Sequence, residues 1–177
     1  MVHKKIPELP ETLARGRGKP GEVLIKNLIY KITISAFSMA FAAVILTTFA
    51  AERLSAISFR PAFFSLTMDE RIELMDRAIG LDPLNAEFRF RKFILLQRKR
   101  LSEGNAIPHK TELYAIKEAI DLRPLWPKYH LYYGLVLDRM SPNPNVITRQ
   151  LILSQLKKAA ELKPYSELYG KIYQNHK

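Results

Sequence analysis

The chain has 177 residues, no cysteine, and 28 lysines and arginines against 17 acids, a formal net charge of +11. The missing cysteine excludes disulfides, thiolate chemistry and cysteine-based metal centres, while leaving the compartment open. The basic excess attracts anionic partners in general, nucleic acid and lipid headgroups included, so its placement along the chain has to discriminate among them.

Residues 1–22 hold Pro7, Pro10, Pro20, Gly16 and Gly18 and show no apolar period, which predicts a flexible basic tail. Val23 to Tyr30 is apolar apart from Lys26 and Asn27 and leads into Ile32 to Ala51, a run without charge bounded by Lys31 and by Glu52 with Arg53. About 20 residues at about 1.5 Å each cover about 30 Å, the hydrocarbon thickness of a bilayer, so 23–51 is predicted as one transmembrane helix. A helix buried in a soluble core would show a polar stripe over that length. Thr48-Phe49-Ala50 loosely resembles a cleavage site, but the leader and the apolar run are too long for a signal peptide, and an uncleaved signal anchor fits better. Arg15, Arg17, Lys19, Lys26 and Lys31 precede the span closely, whereas Arg53, Arg60 and Arg71 follow it. That bias sets the N-terminus inside and the larger part of the chain outside. The expectation is a single-pass protein of a bacterial inner membrane with a periplasmic C-terminal domain.

Residues 52–67 read as a connector whose Phe59, Phe63 and Phe64 either seat the domain on the membrane or begin its core. Thr67-Met68-Asp69-Glu70 is a capping box and predicts a helix start. From there apolar spacing and turn residues predict six antiparallel helices at about 68–81, 85–101, 111–122, 127–140, 146–162 and 165–175. A fragment recurs through them: Ala78-Ile-Gly-Leu-Asp-Pro83-Leu, Ala119-Ile-Asp-Leu-Arg-Pro124-Leu and Ala159-Ala-Glu-Leu-Lys-Pro164-Tyr, with prolines 41 and then 40 residues apart. Small alanine permits close helix approach, leucine closes the core, and proline ends one helix at the turn into the next. Such a period marks a helical solenoid.

The corner resembles that of the tetratricopeptide repeat family, with Ala78, Ala119 and Ala159 at the family's small position and Tyr133-Gly134 at its leucine-glycine pair. The resemblance covers about residues 68–175 and implies an all-α architecture, one transmembrane helix followed by a short α-solenoid over 68–177. The period exceeds the family's roughly 34 residues, the surplus falling at Ser102 to Lys110 and Ser141 to Asn145. Leu122-Arg-Pro-Leu-Trp-Pro127 is also similar to a sequence in small single-span repeat proteins that accompany bacterial exopolysaccharide and O-antigen polymerases.

Helix 85–101 concentrates cations. At about 100° per residue, Arg91 and Arg98 fall on one edge and Lys92 and Lys99 on the other, with Ala86, Phe90, Phe93, Ile94 and Leu101 on one apolar face and Phe88 and Leu95 on the opposite one. In the resembled family such helices line the concave surface, which implies a basic groove; a solvated face compensated by neighbouring acids is the competing reading. In helix 127–140, Tyr129, Tyr133, Val136 and Met140 share a core-type stripe, whereas Tyr132, with Lys128 and Arg139, points elsewhere and is the surface candidate. His3, His109, His130 and His176 show no ligand spacing, and no phosphate loop or nucleophile motif occurs, so no metal, cofactor or enzymatic activity is expected. Nucleic acid would need the basic domain in the cytoplasm and a recognition motif the chain lacks. Two functions remain: an envelope scaffold that holds a partner protein or nascent polysaccharide, or a module that captures an anionic ligand by charge.

Overall fold

A computed structural model describes residues 20–59 and 66–177; the expectations placed on residues 1–19 and on Arg60, Phe63 and Phe64 lie outside them. The described residues form seven helices and no strand: α1 (Pro20–Phe59), α2 (Met68–Leu81), α3 (Ala86–Ser102), α4 (Lys110–Leu122), α5 (Pro127–Met140), α6 (Val146–Leu162) and α7 (Glu167–His176). The chain divides into compact units at Ile45/Leu46. In the first, α1 starts at Pro20, a residue that helices accept in their first turn, three residues before the expected Val23. Leu28–Phe59 is long and apolar enough to cross a membrane, and its large side chains through Phe49 are exposed.

The second unit, Leu46–Lys177, is a stack in which α2 to α7 pack in succession. Each corner works as its residues dictate. Asp82, Arg123 and Lys163 end α2, α4 and α6, and the backbone N–H groups of Asp82 and Arg123 donate to the carbonyls of the repeat alanines Ala78 and Ala119. Those alanines and Ala159 are fully buried. Thr67 caps α2 as expected: the Glu70 amide donates to its hydroxyl at 3.2 Å and its own amide donates to the Glu70 carboxylate at 2.7 Å.

Helix α1 does not stop at Ala51. It continues through residues first read as a connector, and Ala51, Ser55 and Ser58 are fully buried on one face. These small side chains, spaced four and three apart, admit a close neighbour. Ala51, Leu54 and Phe59 join Met75, Ala78, Phe88 and Leu95 in one core cluster, so the end of α1 supplies the first helix of the first repeat, and Phe59 takes the core role. Ala86, Phe93, Ile116, Ala119, Tyr129 and Val136 form the second cluster, and Leu131, Leu137, Ile152, Leu156 and Ala159 the third. As expected, α3 is buried on both sides, by Phe88 and Leu95 towards the first cluster and by Phe93 towards the second; Leu101, expected in the second, is exposed. Gly134 lets α5 meet α6: a Cβ there would lie 2.8 Å from Leu156 Cδ2.

Candidate functional site

The cations of α3 are consumed by neighbouring acids and rings. Arg91 Nη1 donates to Ser55 Oγ at 2.6 Å and lies 3.9 Å from Glu52, with Glu87 3.6 Å from its Nε. The Arg98 guanidinium stacks 5.4 Å from the centre of the Phe59 ring. Both contacts face the end of α1. Lys92 and Lys99 instead reach α2, at 2.6 Å from Asp76 and 2.5 Å from Asp69. The hydrogen bond to Asp69 raises the Lys99 pKa, so this ammonium keeps its proton to higher pH than an ordinary lysine. Lys128, in the first turn of α5, binds Glu87 at 2.7 Å and sits 4.4 Å from the centre of the Phe90 ring.

The side chains of Arg91, Lys92, Lys99 and Lys128 are only 29–34% exposed. The expected grouping therefore divides, Arg91 and Arg98 meeting α1 and Lys92 and Lys99 meeting α2, and the compensated reading describes Arg91, Lys92, Lys99 and Lys128. Arg98 and Arg139 are the exceptions, both exposed and without an ion pair among the described residues.

Tyr132 requires a correction. Its ring is half-buried and meets Phe90 and Phe93 edge-on at 5.3 and 5.7 Å, because α3 brings two phenylalanines to the face of α5 that helix spacing alone left open. With Gln97, Leu135, Val136 and Arg139, it lines a shallow recess of about 50 Å³ between α3 and α5. Only Tyr132 and Arg139 of the seven expected residues share it. The Tyr129 stripe is core, as expected. Burial, reinforced by the Glu87 carboxylate that accepts its hydroxyl proton at 3.2 Å, pushes the Tyr129 phenol far above its ordinary pKa.

A second, larger recess of about 290 Å³ opens between α2 and α4 across α3, lined by Ile72, Lys92, Leu96, Thr111, Tyr114 and Glu118. Beyond it, α6 presents Val146 and Ile147 to solvent. The recess is largely apolar, with Lys92 and Glu118 in its lining.

Two buried polar devices were also hidden in the sequence. Arg100, a further cation of α3, is 2% exposed and donates from Nε to Glu112 at 2.8 Å and from Nη1 to the carbonyls of Asn105 and Ala106 at 2.6 and 2.9 Å. It pins the long α3–α4 loop, which turns at Gly104 with φ of 76°. His130 Nε2–H donates to the Pro124 carbonyl at 2.7 Å, while Nδ1 lies 2.8 Å from the side-chain amide oxygen of Gln155, tying the second corner to α6. Both devices satisfy buried backbone groups and serve the fold.

No group of three or more His, Cys, Asp or Glu placed to hold a metal ion occurs among the described residues. The described recesses include an amphipathic one on the α3/α5 face, a largely apolar one over α2/α4 and a larger, polar one of about 400 Å³ lined by Asp138, Asn143, Arg149 and His176. Comparison with family models and with curated protein sequences finds no match for the chain.

Proposed function

We propose that the protein is a membrane-anchored, tetratricopeptide-like scaffold that acts by holding a partner protein of a cell-envelope assembly, without catalysis. The observation that carries this reading is the continuity of one helix: α1 holds the apolar stretch long enough to cross a bilayer and ends as the first helix of the repeat stack. The α3/α5 recess, with the Tyr132 ring, Leu135 and the Arg139 guanidinium, matches the aromatic and arginine chemistry of protein interfaces.

The corner sequence Leu122 to Pro127 and the order of anchor and short solenoid favour surface polysaccharide synthesis or export as the setting, with the solenoid in the periplasm. Charge-driven capture of an anionic polymer loses support from the internal pairing of Arg91, Lys92, Lys99 and Lys128. The test is site-specific photocrosslinking in cells from Gln97 and Arg139, with an unrelated exposed position, Glu73, as control. A discrete protein adduct that persists when binding is challenged at high salt supports the scaffold. Adducts only to polyanion, lost as salt rises, refute it, because screening weakens long-range charge attraction and leaves apolar contacts intact. Protease accessibility of the solenoid after selective outer-membrane permeabilisation tests its placement.

A further inference from the structure

We propose that the edge of the helical unit at which its three corners lie rests on the lipid bilayer surface; the inference depends on the anchor reading given above. The repeat keeps an apolar or aromatic residue directly after each corner proline, and core packing does not account for it. Leu84, Leu125 and Tyr165 are 77, 71 and 100% exposed, while the alanines of the same fragments are fully buried. Trp126, beside Leu125, is half exposed as well.

These residues occupy one edge. Helices α2, α4 and α6 end there and α3, α5 and α7 begin there. Glu87 in the first turn of α3 reaches Lys128 and Tyr129 in the first turn of α5 at 2.7 and 3.2 Å, which brings the first two corners side by side. Helix α1 runs parallel to α3, since Glu52 and Ser55 flank Arg91 while Phe59 meets Arg98 further on. The residues of this unit that precede Glu52 on α1 therefore come to the same edge, and Leu46 and Phe49 there are exposed members of the uncharged run.

An exposed apolar edge that includes Leu46 and Phe49 of the uncharged run calls for an interfacial occupant. Tryptophan and tyrosine partition to the headgroup level, where ring and polar tip are both satisfied. The cations on this edge suit the same position. Arg123 is exposed with no ion pair among the described residues, Lys163 lies 5.3 Å from the centre of the Tyr169 ring, and Arg53 lies 4.9 Å from that of Phe49. Asp82 holds the equivalent place in the first corner. Basic side chains beside a membrane are drawn to anionic headgroups.

Trp126 is the only tryptophan, so its fluorescence reports on this edge alone. The full chain would be reconstituted in vesicles of phosphatidylcholine and phosphatidylglycerol, with flotation confirming insertion. The expected result is quenching of Trp126 by a headgroup spin-labelled lipid and at least a halving of acrylamide quenching relative to detergent micelles. The variant Leu84→Glu/Leu125→Glu/Tyr165→Glu, altered only at exposed positions, should float equally well and lose the lipid quenching. Flotation with Trp126 open to acrylamide and untouched by the spin label overturns the inference and leaves the anchor standing. Protection from acrylamide without spin-label quenching also overturns it, pointing to a second copy over the corners. Failure to float overturns the anchor reading and this inference together.

Discussion

Two glycines in the same helical context should respond oppositely to one added methyl group. At Gly134 a Cβ would stand 2.8 Å from Leu156 Cδ2 and 3.0 Å from Leu156 Cγ, inside the roughly 3.5–4.0 Å of a relaxed carbon contact. Leu156 is 1% exposed and packed among Leu131, Leu137 and Ile152, so it has little room to retreat. Overpacking of this kind costs about 1–3 kcal/mol, against about 1 kcal/mol gained in helix propensity, and Gly134→Ala should be destabilising by up to about 2 kcal/mol. At Gly80 the same Cβ meets nothing within 4 Å, and Gly80→Ala should be stabilising by up to about 1 kcal/mol. Urea unfolding of the full chain in detergent, followed by far-ultraviolet circular dichroism, compares them. The decisive arm is a double-mutant cycle: with Leu156→Ala in place, Gly134→Ala should change sign and become stabilising. If Gly134→Ala stabilises the unaltered protein as much as Gly80→Ala does, the close α5–α6 approach is wrong.

Removing one partner of the buried Arg100–Glu112 pair strands the other: Glu112→Ala should cost about 3–5 kcal/mol, and Arg100→Leu added to Glu112→Leu should cost less than the two single substitutions summed, a coupling that urea denaturation resolves. Ser55→Leu should destabilise by about 1–3 kcal/mol and Ser35→Leu should be neutral, because Ser55 is fully buried and Ser35 is exposed; equal effects would remove the end of α1 from the repeat core. Glu70 is held below its ordinary pKa of 4.5 by hydrogen bonds from the Thr67 amide and hydroxyl. Its contribution is therefore complete above that value and lost as pH falls through the lowered one, so protection of the Thr67 amide, measured relative to its intrinsic exchange rate, should fall in acid. Glu70→Gln, which cannot titrate, should abolish that acid dependence.

Local chemistry wrote much of this fold into the sequence. A run without charge identifies the membrane-length helix, and the capping box, the repeat alanines and the corner prolines place six helices within two residues of where they lie. These signals are legible because each acts through groups a few residues apart. The close approach at Gly134 does not belong with them, because its partner Leu156 lies on α6. The candidate site was less legible. The cations of α3 look free in the sequence because their partners lie far along the chain, Arg91 meeting Ser55 and Lys99 meeting Asp69 only once the helices stack. Tyr132 lies outside the stripe of α5 by spacing, yet Phe90 and Phe93 enclose it.

By itself, then, the sequence determined the helices, their punctuation and the repeat, because backbone capping, proline geometry and apolar periodicity are short-range. Only the tertiary structure decided that the end of α1 belongs to the first repeat. Ala51, Ser55 and Ser58 carry too little apolar surface to announce a packed face; their small size has meaning only once α2 and α3 close against it.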